Sequence, residues 1–136
     1  MPIPLNLDPF NSALNRLQEG LARYETDTTD AQIRDGLIQR FEFTYEQSHK
    51  ILKRFLEMAL PSSEELGEML FPDLIRTANE QGLLRSDWSN WKKYREMRGK
   101  TSHTYDESIA LDVVTGIPDF INECVFLLNQ LSIRIK

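Results

Sequence analysis

Apolar residues recur at intervals of three and four along almost the whole chain, and this spacing constrains the fold more than any other feature. A helix with this pattern has one apolar face, which must be buried against other helices. No segment shows the alternation of apolar and polar residues that is typical of a half-buried strand. We therefore predict an all-α protein, a four- to five-helix up-and-down bundle that forms a single domain over residues 1–136.

Capping and turn residues divide the chain into five predicted helices. Asp8, as N-cap, is followed by Pro9 at the first helical position, and this first helix runs to about residue 25. The second helix is longer and ends where Pro61 follows Leu60, because proline disfavours helix in the residue before it. Its predicted apolar stripe consists of Ile33, Leu37, Phe41, Tyr45, Leu52, Phe55 and Met58. Residues 61–70 are predicted to be a loop with a turn of helix.

The second half of the chain contains three further predicted helices. One begins at Phe71 and is closed by Gly82 in a left-handed conformation. The next is capped by Ser86 or Asp87 and ends near Gly99, and the last is capped by Asp106 and runs to the C-terminus. Gly116 and Pro118 lie inside this last helix and predict a kink or a break there.

The charge of the chain is unevenly distributed. The net charge is −5, which argues against a general nucleic-acid coat. Between Arg85 and His103, however, six Lys and Arg residues face only two acidic residues, a local net charge of +4. Such a basic region could receive a phosphate group, or it could be an ordinary solvated helix face.

The segment Arg95–Ser108 reads REMRGKTSHTYDES and concentrates polar chemistry in one predicted turn. Arg98 can donate a fork of hydrogen bonds to a phosphate, and His103 can act as a general acid or base near neutral pH. Together they could cleave RNA without a metal, the arginine stabilising a phosphorane. One chain supplies only one such histidine, so this chemistry requires a homodimer. Arg95 and Lys100 are weaker phosphate-binding candidates.

An alternative interpretation is that Arg98 and His103 have no catalytic or binding role. An arginine in a last helical turn interacts favourably with the helix dipole, and an exposed turn histidine needs no function. We expect both Arg98 and His103 to be exposed, so that alanine at either position leaves the fold intact.

Other polar and aromatic residues are assigned structural roles. His49 is read as structural or surface, and Cys124 as a buried, inert thiol. Glu46 is expected to form only a weak pair with Lys50, and no chemistry is assigned to it. The tryptophans share a helical face with Arg95 and Arg98, where they could stack bases or could be core or dimer contacts; they are Trp88 and Trp91.

Three stretches resemble one bacterial protein family. The pattern of arginine, four residues, histidine, any residue and tyrosine is met by Arg98, His103 and Tyr105. The stretches IQRFEFTYEQSHKILKRFL and DLIRTANEQGLL are similar to the same family. On these residues the chain resembles the nucleotidyltransferase substrate-binding proteins of the HEPN superfamily (higher eukaryotes and prokaryotes nucleotide-binding domains). The resemblance covers almost the whole chain.

The resemblance implies a homodimeric helical bundle that assembles with a minimal nucleotidyltransferase encoded nearby. In one interpretation the chain is the nucleotide- or substrate-binding partner of that enzyme. In the alternative it is a metal-independent RNase toxin with Arg98 and His103 as catalytic residues, and the partner antitoxin silences it by attaching AMP to Tyr105. Whether the chain is itself an enzyme is left open.

Composition and pattern also set expectations about surroundings. No apolar run approaches a membrane-spanning length, no export signal is evident at the N-terminus, and the single cysteine suits a reducing cytoplasm. We expect a nucleotide or RNA as ligand, and neither membrane, DNA, cofactor nor metal.

Overall fold

The computed structural model describes residues 5–59 and 70–135, and this part of the chain contains five α-helices. They are α1 (Asp8–Thr26), α2 (Ala31–Ala59), α3 (Phe71–Glu80), α4 (Trp88–Lys100) and α5 (Glu107–Arg134). A short 3₁₀ turn, Thr101–His103, connects α4 to the loop before α5. Within the described residues there is no strand, and the predicted all-α bundle is confirmed. The loop predicted for residues 61–70 lies outside the described residues, apart from Leu70.

The first two helices run antiparallel. The Thr44 hydroxyl donates to the carbonyl oxygen of Ala13 (3.1 Å), and the Arg40 guanidinium donates to that of Arg16 (2.8 Å). Thr44 thus lies beside Ala13, and Arg40 lies beside Arg16. The two helices therefore run in opposite directions, as an up-and-down topology requires. Thr44 is fully buried, so these bonds also satisfy a polar group inside the bundle.

The long helices α2 and α5 run parallel to each other, with α4 antiparallel to both. Arg34 and Glu107, near the starts of α2 and α5, form an ion pair of 3.5 Å. Further along, the rings of Phe41 and Phe120 meet edge to face with centroids 5.0 Å apart. Aromatic rings at the centre of the bundle contribute to stability both through buried area and through this geometry.

A buried carboxylate joins α5 to the start of α4. Glu123 is fully buried and accepts hydrogen bonds from the backbone N–H groups of Arg85 (2.9 Å) and Ser86 (3.1 Å). The indole Nε1 of Trp91 donates a third bond of 2.8 Å. Burial raises the pKa of Glu123, and these hydrogen bonds oppose the increase. The carboxylate therefore fixes the loop before α4, and with it the direction in which α4 runs.

The predicted caps of the last two helices are confirmed, with one correction at the first helix. Asp87 and Asp106 cap α4 and α5, and at the start of α2 Asp30 accepts hydrogen bonds from two backbone N–H groups. Asp8 is not an N-cap: it is the first residue of α1, and Leu7 is the flanking residue. The side chain that accepts from the Asp8 N–H is Asn6 (3.0 Å).

Gly82 closes α3 with a φ of +74°, as predicted from the sequence. We expect Gly82→Ala to lower the free energy of unfolding by about 1–2 kcal/mol, because L residues with a Cβ are strained at this φ. Gly36→Ala should instead raise it by about 0.5–1 kcal/mol, because Gly36 is helical and an added Cβ would meet nothing within 4 Å. Denaturant titration of both variants measures the two effects; equal signs would contradict this account.

Two predictions about the long helices are narrowed or corrected by the structure. Of the kink or break predicted at Gly116 and Pro118, the break is excluded, since α5 is continuous from Glu107 to Arg134. Gly116 instead permits close helix packing: a Cβ there would lie 2.5 Å from the Sδ of Met97 on α4. Met58, predicted to belong to the apolar stripe of α2, is exposed near the end of that helix. Cys124 is fully buried as predicted, and burial raises the pKa of its thiol.

The hydropathy of the helices bears on membranes. None of those in the described ranges combines the length and the apolar character needed to span a bilayer.

Candidate functional site

The candidate site lies at the end of the bundle where α4 finishes and α5 begins. Arg98 occupies the last turn of α4, and His103 ends the 3₁₀ turn that follows. The Asp106 carboxylate then accepts from the N–H groups of Ser108 (2.9 Å) and Ile109 (3.2 Å), which starts α5. Rigid helices thus hold both ends of a short polar turn, an arrangement suited to positioning reactive side chains.

Arg98 is held firmly rather than freely exposed. Its Nη2 lies 2.8 Å from the Glu46 carboxylate on α2, and its Nη1 lies 4.0 Å from the carboxylate of Glu42. The Thr101 hydroxyl accepts from Nη1 (3.0 Å) and donates to the Arg98 carbonyl oxygen (2.7 Å). Only 34% of the Arg98 side chain is exposed, so Arg98 is half-buried and the prediction that it is exposed was wrong. An alanine here would cost the bundle these contacts as well as any chemistry.

Glu46 has a larger role than the sequence suggested. It was expected to pair weakly with Lys50, but in the structure it pairs with Arg98, 52 positions further along the chain. Glu42 lies one helical turn before Glu46, so both carboxylates face the same arginine. The sequence shows that Glu42 and Glu46 lie four residues apart on one helix face, which indicates a possible partner cation. Only the packing of α4 on α2 shows that this cation is Arg98.

His103 and Tyr105 project from the turn towards solvent. Both residues are exposed, and their rings meet edge to face with centroids 6.2 Å apart. No hydrogen bond joins His103 to Arg98 among the described residues, although both belong to the same turn of chain. Arg98 and His103 therefore lie at the same end of the bundle, in the last turn of α4 and in the 3₁₀ turn that follows it.

Tyr105 is the only exposed tyrosine of the four in the chain, all of which lie in the described ranges. It is 88% exposed, whereas the other three, Tyr24, Tyr45 and Tyr94, are at most 7% exposed. The Tyr94 hydroxyl is also engaged, since it donates to Asp119 (2.6 Å). Only Tyr105 offers a phenol that another protein could reach.

The weaker phosphate-binding candidates flank this turn. Arg95 is exposed, lies three residues before Arg98 on the same helix face, and has its guanidinium carbon 6.0 Å from the centre of the Phe71 ring. Lys100 is exposed at the end of α4. Neither side chain forms an ion pair within residues 5–59 and 70–135.

Tyr45 is a buried residue on which the charges of both Arg95 and Arg98 act. Burial raises its pKa to about 12, while the positive charges of Arg95 and Arg98 act in the opposite direction. Both guanidinium groups are therefore close enough to influence the same buried phenol.

Of the two tryptophans, Trp91 is a core residue. Trp91 is fully buried and hydrogen-bonded to Glu123, which excludes it as a stacking platform for bases. Trp88 is half-buried and packs against the core. His49 is also half-buried, with its ring 4.5 Å from that of Phe71, which supports its structural assignment.

The donor set of the site is suited to anions rather than to cations. Over residues 5–59 and 70–135, no three His, Cys, Asp or Glu side chains meet in a group that could hold a metal ion. The site contains instead the guanidinium of Arg98, the imidazole of His103 and the phenol of Tyr105. The cationic side chains of Arg95 and Lys100 lie nearby in the chain. Such groups can bind a phosphate, stabilise charge on phosphorus, transfer a proton and accept a nucleotidyl group.

Comparison with known proteins gives a consistent family. Residues 5–133 match the family described as "Nucleotidyltransferase substrate binding protein like". A protein of Haemophilus influenzae named "Probable ribonuclease HepT" is 38% identical over 138 aligned positions, which cover 96% of this chain and 94% of that protein.

A solved structure agrees with this match. The H. influenzae protein HI0074 superposes with a TM-score of 0.86 and 36% identity, over 93% of this chain and 99% of that one. It is described as having the fold of a substrate binding domain of a nucleotidyltransferase. The likeness extends over nearly the full length of all three chains.

Proposed function

The chain belongs to the family of nucleotidyltransferase substrate-binding-like proteins, and on that premise we propose that it is the helical subunit of a two-protein system with a minimal nucleotidyltransferase. In this role it binds the phosphates of a nucleotide or substrate at the turn formed by Arg98, His103 and Tyr105. The proposal extends to a homodimer, because one chain supplies only one such turn. A single folded domain over residues 1–136 is part of the same proposal.

The observation that carries the proposal is the exposure of Tyr105 beside His103. A nucleotidyltransferase needs an accessible nucleophile, and this phenol is the one exposed tyrosine hydroxyl of the chain. In the transfer, the Tyr105 oxygen forms a bond to the α-phosphorus of ATP while the bond to pyrophosphate breaks. The phenolic proton leaves to a base, and His103 is the neighbouring candidate. The new phosphodiester carries negative charge, which the exposed Lys100 can neutralise.

A second function, metal-independent cleavage of RNA, is favoured by the relative named as a probable ribonuclease and by the pair Arg98 and His103. In this reaction a 2′-hydroxyl attacks the adjacent phosphorus, giving a 2′,3′-cyclic phosphate and a free 5′-hydroxyl. One imidazole accepts the 2′-hydroxyl proton, and the imidazole of a second copy protonates the departing 5′-oxygen. Arg98 stabilises the additional negative charge on the phosphorane.

The two functions fit together as activity and control. An AMP group on Tyr105 would add a phosphate beside His103 and cover the imidazole, so that RNA could no longer reach it. The nucleotidyltransferase would then act as the antitoxin of a ribonuclease.

Co-expression with the nucleotidyltransferase encoded nearby tests the proposed partnership. We expect a tagged form of this chain to retain the untagged enzyme through affinity purification and size-exclusion chromatography. Ser102→Ala, a substitution at an exposed position of the turn, is the control. This variant should form the complex as the unsubstituted chain does. Separate elution of the two proteins at concentrations of about 10 µM, well above the Kd of a stable pair, would contradict the partnership.

A further inference from the structure

Next to Arg98, cationic and aromatic side chains of α2, α3 and α4 contact one another around the ring of Phe71. We call this group the Arg95 patch, and it consists of Arg95, Phe71, His49, Lys53 and Trp88. We propose that this patch is a subsite for single-stranded RNA that holds the nucleotide next to the phosphate bound at Arg98. The inference rests on the ribonuclease function proposed above, and it extends that site along the bundle.

Helix geometry places the patch directly beside the candidate site. Arg95 and Arg98 are separated by three residues, so they occupy one face of α4 about 4.5 Å apart along the helix axis. Both influence the buried phenol of Tyr45, which lies under this face. Two guanidinium groups on one helix face can contact successive phosphates of a single strand.

The aromatic half of the patch offers ring surface at the same place. Phe71 is half-buried, has its ring centre 4.5 Å from that of His49 and 5.8 Å from that of Trp88, and lies under Arg95. Bases stack on such rings with little regard to sequence, and an arginine beside them adds a cation–π contribution.

The cationic side chains of the patch are able to bind an anion. Arg98 is largely neutralised by Glu46 and Glu42, but in the described part of the chain no carboxylate lies within 4 Å of the charged groups of Arg95 or Lys53. Burial, followed by the charges of Lys53 and Arg95, lowers the pKa of His49. The lowered pKa favours the neutral imidazole, so the positive charge of the patch comes from Arg95 and Lys53.

The test measures RNA binding separately from cleavage, in the full-length chain carrying His103→Ala. A fluorescently labelled single-stranded RNA of about 10 nucleotides is titrated, and its anisotropy is followed at several salt concentrations. We expect Arg95→Gln to weaken binding about fivefold to tenfold and to reduce the salt dependence by about one phosphate contact. Phe71→Leu keeps an apolar side chain and should weaken binding at least about fivefold through lost stacking.

Two controls separate this subsite from general electrostatics. Lys93→Gln removes the same charge from α4 but on the opposite face, two residues from Arg95, and should bind RNA within about twofold of the parent. RNA should also quench the emission of Trp88, the half-exposed one of the two tryptophans, and Trp88→Phe should abolish that quenching.

The outcomes distinguish the subsite from the function on which it rests. If Arg98→Ala loses RNA binding while Arg95→Gln and Phe71→Leu keep it, the subsite is wrong and the ribonuclease function stands. If Lys93→Gln weakens binding as much as Arg95→Gln, the attraction is non-specific and the subsite is again wrong. If the parent binds no RNA under any salt condition, both the ribonuclease function and the subsite fail.

Discussion

The His103→Ala protein is expected to cleave RNA about 100- to 10,000-fold more slowly than the unsubstituted protein, because it lacks a general acid or base in each subunit. The thermal melt should be unchanged, since the side chain is exposed and its ring contacts only Tyr105 in the described structure. Cleavage is measured by following the release of 2′,3′-cyclic phosphate ends from a single-stranded RNA.

Ser102→Ala is the matched control for this prediction. Ser102 is an exposed neighbour in the same 3₁₀ turn, so its removal perturbs the local backbone equally without removing an imidazole. Its cleavage rate should be close to that of the unsubstituted protein. Equal loss in both variants would mean that the shape of the turn, and not the imidazole, supports the reaction. Undiminished cleavage by His103→Ala would remove His103 from the mechanism.

The Glu123→Ala protein should be destabilised by about 3–5 kcal/mol, which is a large part of the stability of a domain of this size. The substitution leaves three donors without this acceptor: the buried indole N–H of Trp91 and the partly buried backbone N–H groups of Arg85 and Ser86. We expect the Tm to fall by about 10–15 °C. Calorimetry or denaturant titration provides the measurement.

Two further variants show whether the lost hydrogen bonds cause this effect. Glu123→Gln keeps one oxygen acceptor but turns an amide N–H₂ towards a donor, so we expect roughly half the cost of the alanine variant. Asn122→Ala, at the adjacent exposed position, should change stability by less than about 0.5 kcal/mol. If Glu123→Ala were as stable as Asn122→Ala, the loop before α4 would not depend on the buried carboxylate.

Helix boundaries were predictable because they depend on local chemistry. Asp87 and Asp106 are caps whose side chains accept from N–H groups two or three residues ahead, and Gly82 adopts a backbone conformation that few other residues tolerate. The error at Asp8 is of one residue, which is the usual uncertainty of a helix end. Pro118 did not end α5 because tertiary packing on both sides outweighs the loss of one backbone hydrogen bond.

The site was predictable only where its residues are neighbours in sequence. Arg98, His103 and Tyr105 fall within eight consecutive positions, and the structure gathers them at one end of the bundle. Glu46 lies 52 positions from Arg98, so no local pattern could identify the partner of either residue. The buried carboxylate of Glu123 was missed for the same reason, because its three donors lie 32 to 38 positions earlier in the chain.

The pairing of Glu46 with Arg98 changes the expected behaviour of the candidate site. An incoming phosphate must compete with a carboxylate 2.8 Å from the guanidinium, or bind where a further cation adds to the local potential. Arg95 and Lys100 are in position to supply that charge. Within residues 5–59 and 70–135 neither of these two side chains forms an ion pair, so we propose that they contribute to phosphate binding together with Arg98.

Intact-mass measurement of this chain after co-expression with its nucleotidyltransferase shows directly whether Tyr105 is an AMP acceptor. We expect the mass of the unsubstituted protein to increase by one AMP unit and that of Tyr105→Phe to stay unchanged, since every other tyrosine is buried. An unmodified chain in the presence of active enzyme and ATP, or equal modification of Tyr105→Phe, would contradict this role of Tyr105.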